Sequence, residues 1–330
     1  MVTIKDVAAA AGVSVGTVSR VINNQSVKED NRLKTEEAIK RLGYQVNTYA
    51  RGFKMQQTYT IAMIVPDLIN PFFALLVNYV EQILADIGYK LLICNTYGNV
   101  ERESAYITIA KQNKVDGMIV LSYSHDGKDL EEAGMPIVSF DRHYKRPITC
   151  VSADNSQGGR LAAEKLIATG CKRVIYIRNG SNLEGETLKR GKAFMEACER
   201  GGVEAVRMDF GDETTLNEKQ ITKIYKFLEH SVENGHCEYD GFFTSSDIHA
   251  VMVVKKLREM NVLVPEEVQV IGYDGLRILN VGDYPVSSIA QPIQEMARVS
   301  VDTLIKLIKK EENLKDIILP VRFVEGGTTR

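Results

Sequence analysis

Residues 4–21 read IKDVAAAAGVSVGTVSRV, and the fold of the N-terminus turns on this stretch. Val7, Ala8 and Ala11 recur at helical spacing on one face. Gly12 supplies the left-handed backbone at which a helix stops cheaply. Ser14 stands where a second helix needs a side-chain acceptor for its first amides. Val18 and Val21 lay an apolar stripe on that second helix, and the small Ala8 opposite Gly12 lets the two helices cross closely. Helix, short turn, helix is the geometry that places a second helix in a major groove. The outward residues of that helix are Val15, Gly16, Thr17 and Arg20. Arg20 can fork onto guanine, Val15 can touch a thymine methyl, and Thr17 and Ser19 suit phosphates. The same pattern serves a purely structural helix pair, so both readings stand at this level.

Residues 32–42 (RLKTEEAIKRL) predict a third amphipathic helix with Leu33, Ala38, Ile39 and Leu42 facing inward. The next segment, 46–54, is too short and too poor in apolar surface to fold alone. It reads as a linker, or as a helix that forms only on a partner.

Charge supports the division. Residues 1–54 hold nine Lys or Arg and five Asp or Glu, a balance of +4, and the remainder carries −6. A basic head on an acidic body suits a small DNA-binding module attached to something larger. The five cysteines form no CxxC pair and their number is odd, which predicts reduced thiols in a cytosol. No apolar run approaches the ~20 residues of a membrane span. The start, MVTIKD, has no apolar signal core. The expectation is a cytoplasmic chain with no membrane partner.

From Thr58 the pattern becomes an alternation of strands and helices. Apolar runs at 61–65, 91–94, 118–121, 137–140, 174–177, 242–243 and 268–271 read as buried parallel strands. Amphipathic helices are predicted at 72–87, 101–113, 158–169, 188–201, 217–234, 247–260 and 293–310. Such alternation means doubly wound sheets, and about 270 residues of it is too much for one. Two lobes are expected. Ligands of open α/β sheets bind beyond the C-terminal strand ends. At those ends lie Asn70, Phe72 and Phe73, Asp141 and Arg142, Ser245 to Asp247, Tyr273 and Asp274, and Gln291. Flat rings with Asp, Arg and Asn suit a polyol. Taken singly, Phe72 and Phe73 also read as core, Asp141-Arg142 as a salt bridge and Asp274 as a helix cap; their shared location is what lifts them.

No GxGxxG, GxxxxGK[ST] or HExxH is present, which disfavours a dehydrogenase, a kinase and a zinc protease. His230, Glu233, His236 and Cys237 read as a polar helix end and turn rather than a metal site. No cofactor and no catalytic set is expected.

TIKDVAAAAGVSVGTVSRVINN, IKRLGYQVNTYAR and IVPDLINPFF strongly resemble the lactose-repressor (LacI) family, and KVDGMIVL, VSFDR, VSADN, VPEEVQVIGYD and SSIAQP continue the resemblance to the C-terminus. It implies a helix-turn-helix head over 1–45, a hinge over 46–57, and a periplasmic-binding-protein-like α/β core over 58–330. That core has two doubly wound parallel-sheet lobes, one about 58–158 with 290–319, the other about 159–289 with 320–330. It places base reading on Val15, Gly16 and Arg20, and extends DNA contact to Ala50, Phe53 and Lys54 of a hinge helix that wedges the minor groove. The usual wedge Leu is Phe53 here, preceded by Gly52 rather than Ser, and the usual Pro is Val46. Effector contacts are implied at Asn70, Phe72, Phe73, Asp141, Arg142, Arg190, Phe210, Asp247, Asp274 and Gln291, a set similar to that of ribose-type members. The catabolite member's phosphoprotein partner is not expected, since the helix over 293–310 carries Arg298 alone. The implied function is a homodimeric repressor that binds a palindromic operator on double-stranded DNA and answers to a small sugar, as inducer or as corepressor. A solute-binding or enzymatic α/β protein with accessory N-terminal helices is the competing class.

Overall fold

A computed structural model describes residues 2–44, 57–121, 127–144, 148–178, 185–211, 218–277, 282–311 and 315–330. The chain divides into two units, 1–58 and 59–330.

The first unit holds α1 (Ile4–Ala11), α2 (Val15–Ile22) and α3 (Glu29–Leu42). Thr3 and Asp6 cap α1 reciprocally, the Asp6 carboxylate accepting from the Thr3 amide at 2.8 Å and the Thr3 hydroxyl accepting from the Asp6 amide at 3.4 Å. Gly12, at φ 64°, ends α1, and Ser14 Oγ accepts from the Thr17 amide at 3.1 Å to start α2. Val7, Ala8, Ala11, Val18 and Ala38 form the core of the unit, whose small side chains allow close helix crossings. The third helix starts three residues before the expected boundary, with Glu29 and Asp30 complementing the positive end of its dipole. Leu33 departs from expectation: it is 58% exposed. It lies five residues before buried Ala38, about 140° around the helix, and buried Thr35 takes the inward place.

The second unit contains two six-stranded sheets. One sheet comprises β1 (Thr60–Val65), β2 (Lys90–Asn95), β3 (Gly117–Val120), β4 (Ile137–Phe140), β5 (Thr149–Ala153) and β13 (Ile317–Leu319), in the order β13-β5-β4-β3-β1-β2. The other comprises β6 (Arg173–Arg178), β7 (Glu204–Asp209), β10 (Gly241–Thr244), β11 (Gln269–Asp274), β12 (Ser287–Ala290) and β14 (Arg322–Val324), in the order β14-β12-β11-β10-β6-β7. Within these two sheets, among the described residues, all pairings are parallel except β12 with β14. The same winding is used twice: β1 corresponds to β6, β3 to β10, β4 to β11 and β5 to β12.

The helices of this unit are α4 (Pro71–Asp86), α5 (Val100–Gln112), α6 (Lys128–Glu132), α7 (Asn155–Ala168), α8 (Glu186–Arg200), α9 (Glu218–Ser231), α10 (Asp247–Glu259) and α11 (Ile293–Ile308). The chain passes between sheets after β5, after β12 and between β13 and β14. The first and third passages are tied together: the Asp154 amide donates to the Leu319 carbonyl at 2.7 Å and the Val321 amide to Gln157 Oε1 at 2.9 Å.

Several strands escape the apolar-run criterion. β5 reads TCVSA and β12 reads SSIA, yet both are wholly buried. The β12 hydroxyls are satisfied inside: Ser288 Oγ reaches Asp247 and Ser287 Oγ lies 2.9 Å from the Thr329 hydroxyl. The predicted helix 217–234 stops at Ser231, where β8 (Val232–Glu233) pairs with β9 (His236–Cys237) in a small hairpin. His230 is used at home, its Nδ1 lying 2.6 Å from the Lys226 carbonyl.

Candidate functional site

Two surfaces carry the nominated residues. On the head, Val15 is 41% exposed, Gly16 and Arg20 are exposed and Thr17 is half-buried, its hydroxyl 3.0 Å from that of Ser14. Gly16 and Arg20 lie on the face of α2 opposite the buried Val18 and Val21, with Val15 and Thr17 on its two flanks. Residues 12–16 also spell Gly-Val-Ser-Val-Gly, the letters of a hydrolase nucleophile elbow. That elbow needs a strand before the serine, whereas Ser14 follows a helix and caps the next. Ala50, Phe53, Lys54 and the hinge segment lie outside the described residues.

The second surface is the junction of the two lobes. Asp141 directly follows β4 and Asp274 ends the corresponding β11, and both have positive φ, 51° and 121°. Such backbone costs a non-glycine residue of order 1–3 kcal/mol and is retained where the surroundings enforce it, typically at ligand sites. Arg190, on α8, is buried. Its Nε and Nη2 donate to Asn155 Oδ1 at 3.0 and 2.6 Å, its Nη1 donates to the Ser245 carbonyl at 2.6 Å, and Cζ lies 3.1 Å from the centre of the Tyr273 ring. The helices carrying Asn155 and Arg190 approach so closely that a Cβ on Gly159 would stand 2.1 Å from the Arg190 carbonyl oxygen. Asp247 opens α10 and accepts from Ser288 Oγ at 2.5 Å and from the Leu276 amide at 2.7 Å. Gln291 Nε2 donates to Asp274 Oδ1 at 2.8 Å.

Charge is crowded there. Burial, and then repulsion from Glu186, pushes the Asp141 carboxyl up to about 7. Burial raises Asp247 to about 7 against its hydrogen bonds from Ser288 and Leu276. Asp274 is raised well above the usual carboxylate range, by burial first and then by Asp247. Burial alone would weaken the Arg190 cation, but Tyr273, Tyr176, Asp274 and Asp141 hold its pKa above the ordinary value. Strongly shifted acids around one arginine at the strand ends make this junction the candidate binding site.

The remaining nominees divide. Asn70 caps α4, its Oδ1 accepting from the Phe72 amide at 3.0 Å. Phe72 and Phe73 are buried, and Phe72 meets Phe140, the residue before Asp141, edge-on at 6.3 Å. Arg142 is half-buried with its guanidinium 5.7 Å from the Tyr144 ring centre. Phe210 packs edge-on against Phe227 in the second lobe's core. Sequence reasoning did not nominate Asn155, Glu186 or His143. His143 Nδ1 lies 3.0 Å from Asp316 and its Nε2 3.6 Å from Glu186, bridging the lobes. Asn155 had one signal, its place two residues after β5, near the strand end as Gln291 is near the end of β12.

Comparison with known proteins follows the same division. A model of bacterial regulatory proteins of the lacI family matches residues 3–47, and one of periplasmic binding protein-like domains matches 163–329. The sucrose operon repressor of Streptococcus mutans is 34% identical over 97% of this chain and 97% of its own. The chain belongs to the LacI family. The ribose operon repressor of Halalkalibacterium halodurans, another similar protein, is 33% identical over 100% of this chain and 98% of its own. Among solved structures, a LacI-type regulator of Alkaliphilus metalliredigens complexed with D-xylulofuranose is 30% identical, with TM-score 0.71 over 82% of this chain and 99% of that one. The lac repressor dimer bound to operator shares the fold at TM-score 0.84 and 23% identity over 99% of both chains. This LacI-family chain is thus a DNA-binding regulator built as a helix-turn-helix head and a two-lobed α/β core. No helix among the described residues is long and apolar enough to cross a membrane.

Proposed function

We propose that this LacI-family protein is a cytoplasmic, homodimeric, non-catalytic repressor of carbohydrate-utilisation genes that leaves its operator when a small sugar fills the lobe junction. The carrying observation is the convergence of Asp141 from one lobe with Arg190, Asp247, Asp274 and Gln291 from the other end of the winding, in a chain whose head exposes Arg20 on α2. Two heads related by a two-fold axis read half-sites about 34 Å apart. Val15, Gly16, Thr17 and Arg20 face the bases and phosphates, and Ala50, Phe53 and Lys54 belong to the hinge that the dimer holds in the minor groove. Asn70, Phe72, Phe73, Arg142 and Phe210 complete the effector set as rim and wall. A sugar that binds the closed lobes more tightly than the open ones shifts the equilibrium by that difference and no more. The movement disorders the paired hinges and releases the DNA. Relatives named for sucrose and ribose operons, and a regulator holding D-xylulofuranose, support a sugar as the ligand.

Gel retardation on a palindromic operator, with and without sugars, tests this. Arg20→Ala should weaken operator binding roughly 10- to 100-fold and leave sugar affinity unchanged. Asp274→Ala should abolish the response to sugar and leave operator binding intact. Loss of both activities in either variant would sink the two-module reading.

A further inference from the structure

The hydrogen-bonding inventory of the junction narrows its ligand further, on the premise that this junction is the effector site. Four carboxyl groups gather there: Asp141, Glu186, Asp247 and Asp274. The cations among them are already committed. Three N–H groups of Arg190 are spent on Asn155 and Ser245, and its face is covered by Tyr273. Lys189 is bound to Glu186 at 2.7 Å. Arg142 lies over Tyr144, and His143 is shared between Asp316 and Glu186.

An independent observation points to what is missing. Gln291 is only 8% exposed, and its Nε2 donates to Asp274. The other end of the same amide, Oε1, is buried and finds no hydrogen-bond partner among the described residues. A buried orphan acceptor costs about 1–3 kcal/mol until a donor arrives. The junction therefore holds one orphan acceptor, Gln291 Oε1, and one buried hydroxyl, that of Tyr273, for a ligand to satisfy. Sugar hydroxyls are donors, each able to give one hydrogen to a carboxylate or to Gln291 Oε1. A phosphate ester near neutral pH brings about −1.5 to −2 of charge and oxygens that chiefly accept. Burial and mutual repulsion already press Asp141 and Asp274 to keep their protons, so this desolvated space disfavours negative charge; a phosphate ester placed there brings that charge and leaves Gln291 unsatisfied.

We propose that the junction takes a neutral, unphosphorylated sugar and discriminates against the phosphate ester of that same sugar. Isothermal titration of the full-length protein with matched pairs tests this: D-ribose with D-ribose 5-phosphate, D-fructose with its 1- and 6-phosphates, and sucrose with sucrose 6-phosphate. In the pair that binds, the neutral member should bind at least about tenfold more tightly, as like-charge juxtaposition demands. Asp141→Asn and Asp274→Asn should each narrow that ratio, because the amide takes away an acid that can ionise and adds a donor. A ratio unmoved by both variants would mean that size rather than charge excludes the ester, and would overturn the proposal. Equal or tighter binding of the phosphorylated member would overturn it outright. If neither member of any pair binds while the operator is still held, the sugar reading of the junction fails and this proposal falls with it.

Discussion

In the head, the residues that shape the α2 face are neighbours in sequence. The longest side-chain link among its described residues joins Arg41 to the Ala10 carbonyl across 31 positions. In the lobe junction, Asp141, Arg190, Asp274 and Gln291 meet from strand and helix ends spread over 150 positions. Helical periodicity reports which face of a short helix is buried, because each residue's fate depends on its immediate neighbours. Nothing local states which polar residue at the end of a strand turns toward the other lobe. The two regions differ also in what they tolerate: the head rests on alanines and valines, the junction on buried acids and one arginine.

Substitution at Gly159 should give the largest effect and break the comparison at the junction end. Gly159→Val drives side-chain atoms into the Arg190 carbonyl and the Phe194 amide, which are backbone and cannot swing away. The loss should be about 3 kcal/mol or more for the two-lobed unit, read by calorimetry as an early melt of that unit. A loss below about 1 kcal/mol would refute the close approach of α7 and α8.

Val18→Ala is the counterpart in the head. Val18 is fully buried in a core of few side chains, and its truncation should cost about 2 kcal/mol. A unit this small has only a few kcal/mol to lose. Operator binding should therefore drop sharply while sugar binding is retained, as gel retardation and titration would report. A parallel fall in sugar affinity would show that the two units do not fold independently.

The sequence conveyed these regions unequally. Capping by Ser14, the Gly12 stop and the inward Val7, Ala8 and Val18 all follow from spacing, while the Thr3 cap emerged only in the structure. At the junction, strand-end logic reached Asp141, Asp247, Asp274 and Gln291, and Arg190 was reached as the opening of a helix facing the same cleft, but Phe210 came only from family resemblance. Asn155 offered only its place near the end of β5 and Glu186 fits no pattern, since their roles exist only once α7 and α8 pack together. The strand β12 was hidden because burial there is satisfied by hydroxyl hydrogen bonds rather than by apolar side chains, and β5 because Thr149 and Ser152 break its apolar run.

Acidity sharpens the contrast at a more modest scale. In the folded chain Asp141 holds its proton up to about 7, whereas in the unfolded chain it ionises at its ordinary value. Between those values the native state binds the extra proton, so this group's contribution is full at low pH and is lost as pH rises toward 7. Asp141→Asn removes that loss and keeps an oxygen for the Ala153 amide, which donates to Asp141 Oδ1 at 3.3 Å. The variant's melting temperature, measured relative to the parent without ligand, should thus climb between pH 5 and 7.5, by a few degrees. His249, buried and pushed down to about 4, pulls stability in the opposite direction over its own range but is common to both proteins and cancels. A difference that stays flat with pH would mean that Asp141 is ionised throughout and that the junction is less crowded than its geometry implies.

Leu33→Ser should have the smallest effect, and it decides between spacing and packing in the head. An apolar residue in an amphipathic segment invites assignment to the core, yet Leu33 stands largely in solvent while Thr35 is fully buried with its hydroxyl bonded to the Asn31 carbonyl at 2.6 Å. If packing governs, Leu33→Ser changes head stability by no more than about 0.5 kcal/mol, and Thr35→Leu, which overfills a site with no room, costs more than Leu33→Ser although it adds hydrophobicity. The reverse order in thermal denaturation would restore Leu33 to the core and turn α3 by more than a third of a turn, carrying Ala38, Ile39 and Leu42 off the faces of α1 and α2 that they now cover.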